Sequence, residues 1–137
     1  MITALDTNIL SALWSGGGAA AGITSGLSGA SAGGAVIVCG AVYAELLAYP
    51  GSSVEFIEAF LSDTRIEVEF ALGKDIWKEA GIRFAAYSQR RRRSGGAEAK
   101  RLLIDFLVGS HALLRADRLM TLDAPRYRRD FPELELY

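Results

Sequence analysis

Residues 35–50 read AVIVCGAVYAELLAYP, and this stretch decides the fold. Its first half, AVIVC, is an unbroken apolar run rich in β-branched residues. A strand with one wet face alternates apolar and polar side chains. A run without alternation predicts a strand covered on both faces, as in a parallel sheet. The second half, AVYAELLAY, reads as a helix, and Pro50-Gly51 ends it. A buried strand feeding directly into a helix is the repeating unit of an α/β protein.

The same rhythm extends in both directions. Met1 to Leu5 reads as a short strand, and the helix after it spans Asn8 to Trp14, with Thr7 as its cap. The segment SGGGAAAGITSGLSGASAGG, residues 15–34, has the composition of a linker. Ile23 and Leu27 lie four apart within it, however, and favour a helix of small residues that neighbours can approach closely. Downstream, SSVEFIEAFLSD is an amphipathic helix capped by Ser52 or Ser53, and RIEVEF alternates as a strand. KDIWKEAGIRFAAYSQ is a longer helix running into RRRRSGG. EAKRLLIDFLVGSHALLRAD is a further helix, RLMTLD a strand, and LELY a possible last short strand. The predicted architecture is a three-layer α/β/α sandwich with a short, mainly parallel central sheet, in one domain over residues 1–137.

The chain has 137 residues, half of them apolar, enough for one packed core. Its single cysteine, Cys39, lies in the central apolar run, cannot form an internal disulfide, and reads as a buried thiol in a reducing compartment. No segment is long and apolar enough to span a bilayer, and Asp6 interrupts any signal-like core at the start, so no membrane association and a cytoplasmic location are expected. The net charge of −1 excludes a globally basic nucleic-acid binder. The charges are unevenly placed: none occurs between Asp6 and Glu45, whereas arginines crowd the second half.

Four acids stand in apolar surroundings. Asp6, in LDTNIL, ends the first strand, and Asp123 closes RLMTLD. In an open α/β sheet, ligands collect at the carboxyl ends of the strands, where both acids fall. Glu45 shares its helix face with Ala41 and Ala48, and Asp105 shares its own with Gly109 and Ala112. Small neighbours leave room to approach a carboxylate. Four carboxylates gathered in a low-dielectric cleft repel one another, and a hard divalent cation relieves the conflict. One or two Mg²⁺ or Mn²⁺ ions so held can activate water and stabilise charge on a phosphodiester. Structural readings stand beside these: Asp6 as a helix cap, Asp123 as a turn residue before Ala124-Pro125.

ALDTNIL near the start, AELLAYP after the second strand, DFLVGSHAL on the later helix and LMTLDAPRYRRDFPEL at the end together resemble a PIN-domain protein of the VapC type, across essentially the whole chain. The resemblance implies a Mg²⁺- or Mn²⁺-dependent endoribonuclease that serves as the toxin of a toxin–antitoxin pair. It also implies a homodimer and a small antitoxin partner of the VapB type. The family's catalytic and metal-binding acids carry over onto Asp6, Glu45, Asp105 and Asp123, and its accompanying polar residues onto Asn8 and Thr121. Alternatives are a PIN nuclease that processes RNA without being a toxin, and a degenerate site that only receives an antitoxin's basic side chain.

Two arginine groups are candidates for RNA phosphate contacts. Arg90, Arg91, Arg92 and Arg93 are expected either as part of a mobile basic loop or as a solvated helix end. Arg126, Arg128 and Arg129 follow Asp123 closely and either contact phosphate or bridge acids such as Asp130. The only histidine, His111, lies off the Asp105 face and is expected to be packed rather than catalytic. SGGGAAAG lacks the Lys-Ser/Thr ending of a phosphate-cradling loop.

Overall fold

A computed structural model describes residues 1–137. Strands β1 (Thr3–Leu5), β2 (Val36–Cys39), β3 (Ile66–Glu69) and β4 (Arg118–Met120) form one sheet in the order β3-β2-β1-β4. Every pairing is parallel, with Thr3 opposite both Val36 and Arg118, and Val36 opposite Ile66. Helices α1 (Thr7–Ser15), α2 (Ala20–Gly33), α3 (Gly40–Leu46), α4 (Val54–Thr64), α5 (Lys74–Arg93), α6 (Leu103–Arg115) and α7 (Ala124–Asp130) complete the chain. Thr3–Leu5 and Val36–Cys39 are buried at every position, so helices cover both faces, as the unbroken apolar run requires. No helix is long and apolar enough to cross a membrane.

The core is one cluster of 26 buried residues joining the strands to the inner faces of the helices. Within the 15–34 segment Ala20–Gly33 is helical, as its Ile23–Leu27 spacing predicts, and small residues serve close approach. A Cβ on Gly26 would stand 2.7 Å from the Met120 side chain.

Several local expectations change. Thr7 does not cap α1; Asp6 does, its Oδ1 accepting the Thr7 amide at 2.8 Å, because Asp6 is the last extended residue before the helix, whereas Thr7 is already helical and gives its hydroxyl to Glu45. β4 stops at Met120, and Asp123 opens α7 instead of ending a strand. LELY contributes only a single bridge, Leu119 to Leu136. α6 begins at Leu103, five residues later than its periodicity indicates. Arg90–Arg93 are the last turn of α5, where their charges suit the negative end of the helix dipole, and no basic loop forms.

Candidate active site

The acids reach one edge of the sheet by separate routes. β1 ends at Leu5, and Asp6 follows as the cap of α1. β2 runs straight into α3, which carries Glu45. α6 returns toward the amino end of β4, so its first turn, with Asp105, lies at the same carboxyl edge. Asp123 sits just beyond β4 at the start of α7.

Asp6 is 9% exposed and is the centre of the arrangement. Its Oδ2 accepts from the Thr121 hydroxyl at 2.9 Å and from the Asn8 amide at 3.2 Å. Asn8 also accepts from the Leu122 amide at 3.1 Å, and the Thr121 oxygen accepts from the Asp123 amide at 3.0 Å. Asn8 and Thr121 therefore tie the segment after β4 to the segment after β1 and hold Asp6 in one orientation. Thr7, next in sequence, donates its hydroxyl to Glu45 at 2.6 Å and couples the third acid-bearing segment to the first.

Asp105 and Asp123 are linked by Arg126. Its Nη1 lies 3.5 Å from Asp105 and its Nε 3.1 Å from Asp123. Arg101 adds a longer approach to Asp105, at 3.8 Å. Asp6 has no basic side chain against it. Burial pushes its carboxyl above the usual range; the Asp105 charge pushes the same way, and hydrogen bonds from Thr121 and Thr7 oppose them.

Tyr127 was not anticipated from sequence. It is fully buried, and its hydroxyl lies near Asp6 outside good hydrogen-bond geometry. Burial, together with the Asp6 and Asp105 charges, holds the phenol far above its ordinary range, so it stays protonated. Tyr127 and Phe131 share a helical spacing that reads as plain core, which gives no hint of a hydroxyl at the acid edge.

The space beside Asp105 is not free. A Cβ on Gly109 would run into the Phe131 ring, so Gly109 serves helix–aromatic packing and not access to the carboxylate. Asp105 itself closes the first turn of α6, accepting the Leu102 amide at 3.3 Å. No group of three carboxylate, imidazole or thiolate side chains is arranged to hold a metal ion. The donors present are nonetheless all oxygens of the kind hard cations prefer, and the central one is buried with no protein cation beside it. That chemistry fits Mg²⁺ or Mn²⁺, with Arg126 supplying positive charge to the outer two acids.

The arginines divide by role. Arg90 pairs with the buried Asp130 and with Glu98, and Arg129 pairs with Glu98 at 2.8 Å. Asp130 is shared with Arg101, a buried residue that sequence reasoning missed. Arg128 and Arg93 are exposed and without acidic partners. His111 is buried, with Nε2 2.9 Å from Glu69, and burial lowers its pKa. It packs α6 against β3, away from the acids.

No protein-family model and no curated protein sequence matches the chain. Solved structures do. The VapBC2 structure from Rickettsia felis, bound to a DNA fragment from their promoter, contains a chain of 22% identity. The match covers 100% of this chain and 98% of that one, with a TM-score of 0.64. VapBC-1 from nontypeable Haemophilus influenzae matches at 20% identity over 100% and 97%, with a TM-score of 0.67. Across their whole length these chains share one α/β architecture with this protein, and on that ground the chain has the PIN-domain fold found in VapBC proteins.

Proposed function

We propose that the protein is a metal-dependent endoribonuclease and the toxin of a toxin–antitoxin pair, neutralised by a VapB-type antitoxin and acting as a homodimer. The observation that carries this reading is Asp6: a buried carboxylate at the carboxyl edge of a parallel sheet, held by three side-chain and backbone donors and matched by no cation. A buried, unmatched carboxylate is costly for a purely structural cap. The neighbours' composition as VapBC assemblies supports the antitoxin partner.

Asp6, Asp105 and Asp123 would hold the cation, which when bound supplies Lewis-acid stabilisation of the charge that develops on the phosphodiester. Asn8 and Thr121 keep Asp6 oriented. Glu45, fixed by Thr7, takes a proton from water as the water oxygen bonds to phosphorus and the opposite P–O bond breaks. Tyr127, protonated, keeps further negative charge out of the edge.

The test is cleavage of total cellular RNA by antitoxin-free protein in Mn²⁺, in Mg²⁺ and in chelator, with Asp6→Asn prepared identically. Metal-dependent cleavage lost in the variant is expected. Equal cleavage by both proteins points to a contaminant or to a different site. A second reading has its own observation: Arg126 already bridges Asp105 and Asp123, as it would in a site that only receives basic side chains. Under that reading Mn²⁺ gives no thermal stabilisation.

A further inference from the structure

The charges in the second half of the chain are not evenly matched. Arg90, Arg101, Arg126 and Arg129 are opposed by Glu98, Asp105, Asp123 and Asp130, four against four. Arg91, Arg92 and Lys100 have no acidic partner, and all three line one hollow of ≈ 520 Å³ between the end of α5 and the segment before α6. Arg101 and the rings of Phe84 and Tyr87 complete its main walls, and no carboxylate lines it.

The walls are built rather than incidental. The Tyr87 hydroxyl donates to the Ala99 carbonyl at 2.8 Å and accepts the Arg101 amide at 2.6 Å, pinning the 99–101 segment to α5. The Arg101 side chain is 7% exposed; its Nη1 donates to Asp130 and, at 3.0 Å, to the Arg126 carbonyl, while its Nη2 has no partner. A second hollow, ≈ 460 Å³, shares Tyr87 and Arg101 with the first and continues to Asp123 and Arg126, past Glu98 and Asp130, whose charges are paired by Arg129, Arg90 and Arg101. A basic hollow with one pinned wall therefore adjoins a charge-paired hollow that leads to the acid edge.

We propose that this cavity holds a backbone phosphate of single-stranded RNA, at a distance from the acids, so that the strand passes through the second hollow to Asp123. The proposal rests on the ribonuclease reading of the acids. Like charges gathered without acids repel, and an anion removes that repulsion. RNA carries one charge per nucleotide, so one strand can occupy the cavity and still present another phosphodiester at the acid edge. The cation that the nuclease reading places at the acid edge would offset the carboxylates there and attract a second phosphodiester of the same strand.

Lys74 and Lys78 provide the internal control, since they are exposed, lack acidic partners and line neither hollow. The experiment measures anisotropy of a labelled single-stranded RNA with the full chain in chelator, across a salt series. The Arg92→Ala/Lys100→Ala protein is expected to bind about tenfold more weakly, with the slope of log K against log salt reduced by about 0.7 for each phosphate no longer neutralised. Lys74→Ala/Lys78→Ala should change affinity less than about twofold. Equal loss in both doubles, or no loss in the first, overturns the proposal. So does tighter binding of a Glu-rich peptide, abolished by the first double. Metal-dependent RNA cleavage by the unmodified chain is followed in parallel. Absent cleavage with cavity-dependent RNA binding retained defeats the nuclease reading and keeps the RNA site. Normal cleavage with binding untouched by the first double defeats only the site.

Discussion

Asp6 serves two ends that conflict. It caps α1, yet burial and the Asp105 charge disfavour its ionised form. A carboxyl whose folded pKa is raised takes up protons in the folded state first as pH falls. Stability is therefore lost as pH rises from the usual Asp range through the raised value, and the metal-free protein bears the full cost at neutral pH. Asp6→Asn keeps an N-cap oxygen and removes the charge. In chelator at pH 7 it should melt a few degrees higher than wild type, a difference that shrinks toward about pH 4, while cleavage falls by about a hundredfold or more. A thermal-shift series across pH checks the first half and an RNA cleavage assay the second. Arg126 poses the complementary case. Its guanidinium lies against Asp105 and Asp123, where it competes with a divalent cation. Arg126→Ala should bind Mn²⁺ about threefold to tenfold more tightly by calorimetry. Unchanged affinity would mean that these two acids do not ligate.

At the scale of elements, α6 does most to assemble the edge. Its first turn carries Asp105, its middle accepts the Phe131 ring over Gly109, and His111 fastens it to β3 through Glu69. Gly109→Ala would drive a methyl into that ring. Phe131 is fully buried and cannot swing away, so a cost of about 1–3 kcal/mol is expected in urea unfolding. His111 gives a pH signature. Burial lowers its folded pKa below the ordinary 6.5, with Glu69 opposing and Arg115 reinforcing the shift. As pH falls through about 6.5 the unfolded chain gains a proton that the folded chain refuses, so stability should drop below that pH. In His111→Gln, denaturation between pH 7 and pH 5 should lose most of this dependence.

For the whole molecule, the informative quantity is stability linked to a cation. If the acid edge binds Mn²⁺, the native state gains about 2.7 kcal/mol at a hundredfold excess over Kd, seen as a concentration-dependent rise in Tm. The rise should vanish in Asp6→Asn. No rise in wild type would favour the site that receives only basic side chains.

The unbroken run at Val36–Cys39, the alternation of strands with helices, and the position of Asp6 one residue past a buried strand were legible because they are local consequences of side-chain periodicity. They determined a parallel sheet covered on both faces and put acids near its carboxyl edge. Helix starts were less legible: α6 starts late because Glu98 and Arg101 engage in ion pairs and Tyr87 binds the intervening backbone, interactions that no helical period encodes. What only the tertiary structure decided are the pairings. Thr7 meets Glu45 across 38 residues, Thr121 meets Asp6 across 115, Tyr127 is buried near Asp6, and Asp130 gathers Arg90 and Arg101 while Arg91, Arg92 and Lys100 are left unmatched. Hydrogen bonds and charges act over a few ångströms in space and are indifferent to separation along the chain, so which polar residues meet is settled only once the apolar ones have packed.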